Sequence, residues 1–189
     1  LIIPLCGCLP TAVPPATKNE ATPEGLTGSW ICEGERETVE GSILLKNDHY
    51  EVEATVFAKG IEPFTIPYNM VVTKFGGELY ASFIFDIEKA KKDWSKRIQS
   101  QTALNIMPVC WTYRLKLDKD TLKLFQHKAQ EKSFLDPENY AKSDETISMK
   151  RTEIRDWLAK NGEKEFTEHE PLVFTREKEE NSNAEETAK

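Results

Sequence analysis

The sequence predicts a mainly β fold: an antiparallel barrel, or a strongly curved meander sheet, of about eight strands with two or three flanking helices. Three observations predict it. Apolar and polar side chains alternate through much of the chain from Thr27 onward, the period at which one face of a strand is buried. The pairs Asn47-Asp48, Gly76-Gly77 and Lys119-Asp120 stand between alternating segments, and such short turns make sequential antiparallel neighbours. Helical spacing is confined to a few segments, most of them late in the chain, which favours a closed or nearly closed meander.

Taken in order, residues 27–33 form a short strand carrying Trp30, and residues 41–46 form a second that ends at Asn47-Asp48. Residues 49–58 alternate most clearly, with Tyr50, Val52, Ala54, Val56 and Ala58 set against Glu51, Glu53 and Thr55. Residues 64–74 form another strand, in which Pro67 has no N–H for a ladder and so requires an edge or a bulge. Gly76-Gly77 turns the chain into residues 78–87. Residues 108–118 and 121–126 flank Lys119-Asp120, and residues 171–176 supply the last strand. The bulky residues expected inward are Trp30, Tyr50, Tyr68, Met70, Phe83, Phe85, Trp111 and Tyr113.

Ile87, Ala90, Trp94 and Ile98 recur at helical spacing and give a basic amphipathic helix between the fifth and sixth strands. Asp136 before Pro137 reads as an N-cap and first helical position. Ile154, Trp157 and Leu158 share a face of a third helix, which Gly162 is expected to stop. No repeat in the solenoid range is present.

The first residues carry an address. The run Leu1-Ile-Ile-Pro-Leu-Cys-Gly-Cys8 resembles the end of a bacterial lipoprotein signal, with Leu5 three positions before Cys8 and the small Gly7 just before it. The resemblance makes Cys8 the lipidated residue; Cys6, preceded by the bulky Leu5, fits poorly. Acyl chains on such a cysteine bury methylenes worth about 0.8 kcal/mol each. The implied location is the bacterial cell envelope, lipid-anchored, on its periplasmic or extracellular face. Four segments follow from this: a partial lipoprotein signal with its lipobox at 1–8, a flexible tether at 9–24, a barrel domain at 25–176 and a disordered acidic tail at 177–189. Pro10, Pro14, Pro15 and Pro23 without an apolar period predict the tether, and the polar, acidic end predicts the tail.

Composition narrows the function classes. The 189 residues are 39% hydrophobic and 30% charged, and no later segment is long and apolar enough to span a bilayer as a helix. A net charge of -7, from 32 acidic and 25 basic side chains, argues against nucleic acid as a partner, because a binder replaces condensed counterions with basic side chains. Cys32 shares a strand face with Trp30, whereas Cys110 lies opposite Val109, Trp111 and Tyr113. A disulfide between them would need a bulge or a strand edge.

Gly28-Ser29-Trp30 is similar to the Gly-x-Trp opening of lipocalin-like barrels, where the Trp packs across the barrel floor. Joined to Lys74-Phe-Gly-Gly-Glu-Leu-Tyr80, Met107-Pro-Val-Cys-Trp-Thr-Tyr-Arg-Leu115 and Leu117-Asp-Lys-Asp-Thr-Leu-Lys-Leu124, it resembles an uncharacterised bacterial lipoprotein family with a lipocalin-like domain. Trp157-Leu158 and Leu172-Val-Phe-Thr175 extend the resemblance across most of residues 25–176. It implies a fold and an envelope location and carries no activity. Helices inserted before the sixth and the last strand depart from true lipocalins.

No Gly-x-Ser-x-Gly elbow, phosphate-binding glycine loop or His-Glu-x-x-His helix occurs. His49, His127 and His169 are far apart, and none has metal-ligand spacing with Cys, Asp or Glu. No catalytic residue, metal or cofactor is expected. The helix bearing Lys89, Lys91, Lys92, Lys96 and Arg97 around Trp94 could meet anionic headgroups, but its narrow apolar stripe favours docking on the barrel. Tyr50, Tyr68, Met70, Phe83, Trp111 and Tyr113 are the candidate ligand-binding residues, for a small apolar or amphipathic molecule held in the barrel. The alternative is a filled barrel that meets an envelope protein partner with its outer surface.

Overall fold

Alternation along the sequence becomes the two faces of a barrel wall. The computed structural model describes residues 9–11, 13–94, 110–126, 150–166 and 171–177. Its strands are β1 (Leu9–Thr11), β2 (Gly28–Glu33), β3 (Glu37–Leu45), β4 (Tyr50–Ala58), β5 (Ile61–Phe75), β6 (Glu78–Phe85), β7 (Cys110–Asp118), β8 (Thr121–Phe125) and β9 (Leu172–Arg176). Two helices, α1 (Ile87–Trp94) and α2 (Arg151–Glu165), accompany them. Strands β2 to β8 pair each with the next, and β9 pairs with both β8 and β2, closing an antiparallel, lipocalin-like barrel of 8 strands.

Register fixes which side chains face inward. Ile43 stands opposite Val52, Val52 opposite Tyr68, and Tyr68 opposite Phe85. The parallel row runs from Tyr50 through Met70 and Phe83 to Trp111. All the bulky residues expected inward belong to this one apolar core. At one end, the floor, Trp30 and Leu26 are fully buried, and the indole Nε1 donates to the Leu26 carbonyl at 3.0 Å. The turns at 46–49, 76–77 and 119–120 lie at the floor; the 34–36 and 59–60 turns and the start of α1 lie at the other end, the mouth.

Pro67 sits inside β5, and its missing donor has a local explanation. The β5–β6 ladder begins only at Tyr68 opposite Phe85, so at Pro67 the β6 side needs no N–H. The Pro67 carbonyl, on that same side, accepts from Asp86 N at 3.0 Å. Asp86 Oδ1 in turn accepts from Lys89 N at 2.9 Å and caps the start of α1.

Three expectations are corrected. Residues 9–24 do not stand off as a solvated tether. Strand β8 stops opposite Arg114, leaving the first residues of β7 with an open edge, and β1 takes that edge with Leu9 opposite Thr112. Strand β5 runs past the end of β4, and the spare backbone groups of Val72 are met by Glu20 N (2.8 Å) and Asn19 Oδ1 (2.9 Å). Pro15 and Ala16 are buried. Proline content describes a chain without a period of its own, and this one borrows its partners from the barrel.

Gly162 does not stop the last helix; α2 continues to Glu165. The glycine is buried where the Tyr80 hydroxyl meets the helix, and a Cβ there would collide with that ring. Finally, β3 starts at Glu37 rather than at Gly41, which brings a carboxylate to the mouth.

Helix α2 and the 13–21 segment cover the outer wall of β5, β6 and β7, where Phe75, Tyr80, Ile154, Leu158 and Phe166 form a second core. Polar groups under this cover pair across strands: Ser82 with Thr112 at 2.8 Å, and Arg114 with Glu78 at 3.6 Å. The Arg114 guanidinium also lies 4.4 Å from the centre of the Phe125 ring. The helix expected at Asp136-Pro137 lies outside the described residues, as do Cys6, Cys8, Val109 and the tail beyond Glu177.

Candidate functional site: a cavity at the barrel mouth

Packing is uneven along the barrel axis. Near the floor Trp30, Tyr50, Met70 and Val72 fill the interior. Toward the mouth the inner face of β2, β3 and β4 presents smaller groups, Cys32, Val39 and Ala54, across from rings on β5, β6 and β7. A half-open cavity of about 170 Å³ remains. The Tyr68, Phe83 and Tyr113 rings form one wall, and Leu124, Leu172 and Phe174 close the seam at β8 and β9. Gly34 and Glu37 mark the opening at the β2–β3 turn, which is tied by Gly34 N donating to the Glu37 carbonyl at 2.9 Å.

The aromatic wall is a set of edge-to-face contacts. Tyr68 meets Phe83 with centroids 6.0 Å apart and Phe83 meets Tyr113 at 5.7 Å, both near perpendicular. Trp111 and Phe85 back Tyr68, each at 6.2 Å. Such pairs hold their rings in place and add about 0.5–1.5 kcal/mol beyond area burial. Each ring of the wall is therefore braced by a neighbour.

Of the candidate residues read from the sequence, Tyr68, Phe83 and Tyr113 line the cavity. Trp111 supports the wall from behind Tyr68. Tyr50 and Met70 do not reach it: they pair across β4 and β5 beneath it, each 1% exposed, and fill the barrel beside Trp30. Sequence reasoning missed Cys32, Glu37, Val39, Ala54, Leu124, Leu172 and Phe174. Their signal was present as strict alternation, Trp30-Cys32 on β2 and Leu172-Phe174 on β9. Ala54 was read as inward but passed over because it is small, and smallness is what makes the space.

Burial pushes the Cys32 thiol above its usual value, a hydrogen bond with the Val173 backbone opposes this, and the Glu37 charge adds to the rise. A thiol held neutral behaves as an apolar wall group rather than a nucleophile. Cys32 and Cys110 are not bridged to each other and belong to opposite faces of the barrel wall. His49 bonds Asp48 at 2.8 Å on the exposed β3–β4 turn, which holds the Asp48 carboxyl below the ordinary range. His127 and His169 lie outside the described residues. Among the described residues no cluster of His, Cys, Asp or Glu could hold a metal ion, and no helix is long and apolar enough to cross a membrane.

Lys89 on α1 is tied to the barrel, with its Nζ 2.7 Å from Glu53 and 4.0 Å from Glu51, and Ala90 is buried. Of the expected basic face, Lys96 and Arg97 lie outside the described residues. No protein-family model, curated protein or solved structure matches the chain.

Proposed function

We propose that this protein is a binding protein of the bacterial cell envelope that takes a small apolar or amphipathic molecule into the mouth of its barrel, without catalysing a reaction. One observation carries the reading: the half-open, carbon-walled cavity of about 170 Å³ framed by Tyr68, Phe83 and Tyr113. An engineered cavity of about 150 Å³ with a similar lining stays dry and takes up benzene, so this space suits a ring or a short alkyl chain.

A fluorescent naphthylamine titrated into the purified barrel tests this. Saturable binding at one probe per chain supports it. A folded protein that leaves the probe dark overturns it, and leaves the filled barrel with an envelope protein partner as the better reading.

The anchoring half of the proposal rests on Leu5, Gly7 and Cys8. Strand β1 begins at Leu9, so acyl chains on Cys8 would hold the β7 wall close to the bilayer with no slack between. Intact-mass analysis of protein from a lipoprotein-processing bacterial host, with Cys8→Ser alongside, tests it. An unmodified wild-type cysteine ends this part of the proposal.

A further inference from the structure

We propose that the cavity prefers an amphiphile with a positively charged head, such as an alkylammonium, over a neutral or anionic one of the same chain. The inference rests on the cavity being a ligand site and names which chemistry that site takes.

Glu37 carries it. The β3–β4 register sets Glu37 opposite Ala58, on the same inward row as Val39 opposite Val56 and Ile43 opposite Val52. Its side chain therefore belongs to the interior face at the opening, and it is the one charged residue among the described residues that line the cavity. Glu37 is half-buried there. No ion pair to Glu37 occurs among the described residues. Among the described residues the cations of the mouth are placed elsewhere: Arg36 and Lys59 are exposed in the two mouth turns, and Lys89 is engaged by Glu53 and Glu51 on the outer wall.

Two further features agree. The Glu37 charge already acts on the Cys32 thiol inside the cavity, so its field reaches the space a ligand would fill. The opposite wall is built from Tyr68, Phe83 and Tyr113, and aromatic rings attract cations through their quadrupole. A fatty acid entering tail-first would bring its carboxylate against Glu37. An alkylammonium in the same pose would bring an opposite charge to it, in a rim less screened than bulk water.

Competition against the bound naphthylamine probe tests this with octyltrimethylammonium, octanol and octanoate at low ionic strength and neutral pH. The expected order is cation, alcohol, carboxylate, with about tenfold between the first and last. Glu37→Gln, close in shape, should draw the three affinities together. Added salt should narrow the wild-type spread. Equal affinities in the wild type, or a preference for octanoate, overturn this inference and leave the cavity reading standing. A preference that survives in Glu37→Gln overturns the role of Glu37. A folded wild-type protein that binds none of the three, nor the probe, overturns the cavity reading together with this one.

Discussion

The guanidinium of Arg176 lies 4.3 Å from the centre of the Trp30 ring. The two residues are a cross-strand pair joining β9 to β2, so the end of the last strand covers the floor residue of the barrel's opening strand. Arg176 also donates from Nη1 to Thr27 O at 3.0 Å and from Nη2 to Gly25 O, with Asp120 3.5 Å from Nε. Gly28, with φ of 128°, lies directly under this guanidinium, where a Cβ would collide with it.

Removing either member should loosen the closure. Trp30→Ala is expected to cost about 3–5 kcal/mol as a buried aromatic truncation, and Arg176→Ala about 2 kcal/mol from lost stacking and hydrogen bonds. Arg176→Lys should recover little, because an ammonium cannot reproduce the planar fork. Urea midpoints measure these. A Trp30→Ala, Arg176→Ala double variant as unstable as the sum of the singles would show that the pair is not coupled.

Gly162→Ala tests the contact of α2 with the barrel wall. Alanine raises helix propensity by about 1 kcal/mol, yet here the added methyl meets the Tyr80 hydroxyl. Net destabilisation of about 1–3 kcal/mol is expected from overpacking. Tyr80→Phe in the same background should return part of it. A Gly162→Ala protein that melts higher than wild type would place the helix farther from Tyr80.

Alkaline unfolding should follow the buried tyrosines. Burial pushes the Tyr80 hydroxyl up to about 12, with the Glu78 charge adding and Arg114 opposing, and Tyr50 shifts the same way through burial. An unfolded tyrosine ionises near 10, so the folded state holds the proton longer and its stability is complete below pH 10. That stability falls as pH rises from 10 toward 12, by about 2 kcal/mol for Tyr80. Denaturation midpoints across this window, followed with phenolate absorbance, report it. Tyr80→Phe should flatten the pH slope.

Ala54→Phe should fill the cavity from the side opposite Tyr68, Phe83 and Tyr113. Probe binding is expected to fall at least about tenfold while the melting temperature stays level or rises, because apolar surface is added to an existing void. A variant that still binds the probe with wild-type affinity would move the ligand site elsewhere.

Much of the barrel was legible because alternation and two-residue turns survive at the sequence level wherever one strand face is dry. Tyr50 to Ala58 and Cys110 to Asp118 show it most plainly. The cavity was less legible, since space arises from what small residues leave unfilled: Ala54 reads as inward, but nothing in its pattern marks a void. Glu37 was lost because a charge at an inward position breaks the apolar period. The cover over the outer wall was illegible for another reason. Val71, Thr73, Ser82, Thr112 and Arg114 stand on the face that alternation assigns to solvent, and only the packing of residues 13–21 and α2 makes it an interior.

Closure by β9 makes the order of synthesis matter. The contact of Trp30 with Arg176 spans almost the whole described chain, and a long loop must be gathered before that contact repays its entropy. Until Leu172 to Arg176 arrive, β2 and β8 each present an unpaired edge, the kind that templates pairing with another chain. A nascent protein stalled before that strand therefore carries two adhesive borders and an uncovered floor. Its window of vulnerability lasts until the final short segment is delivered.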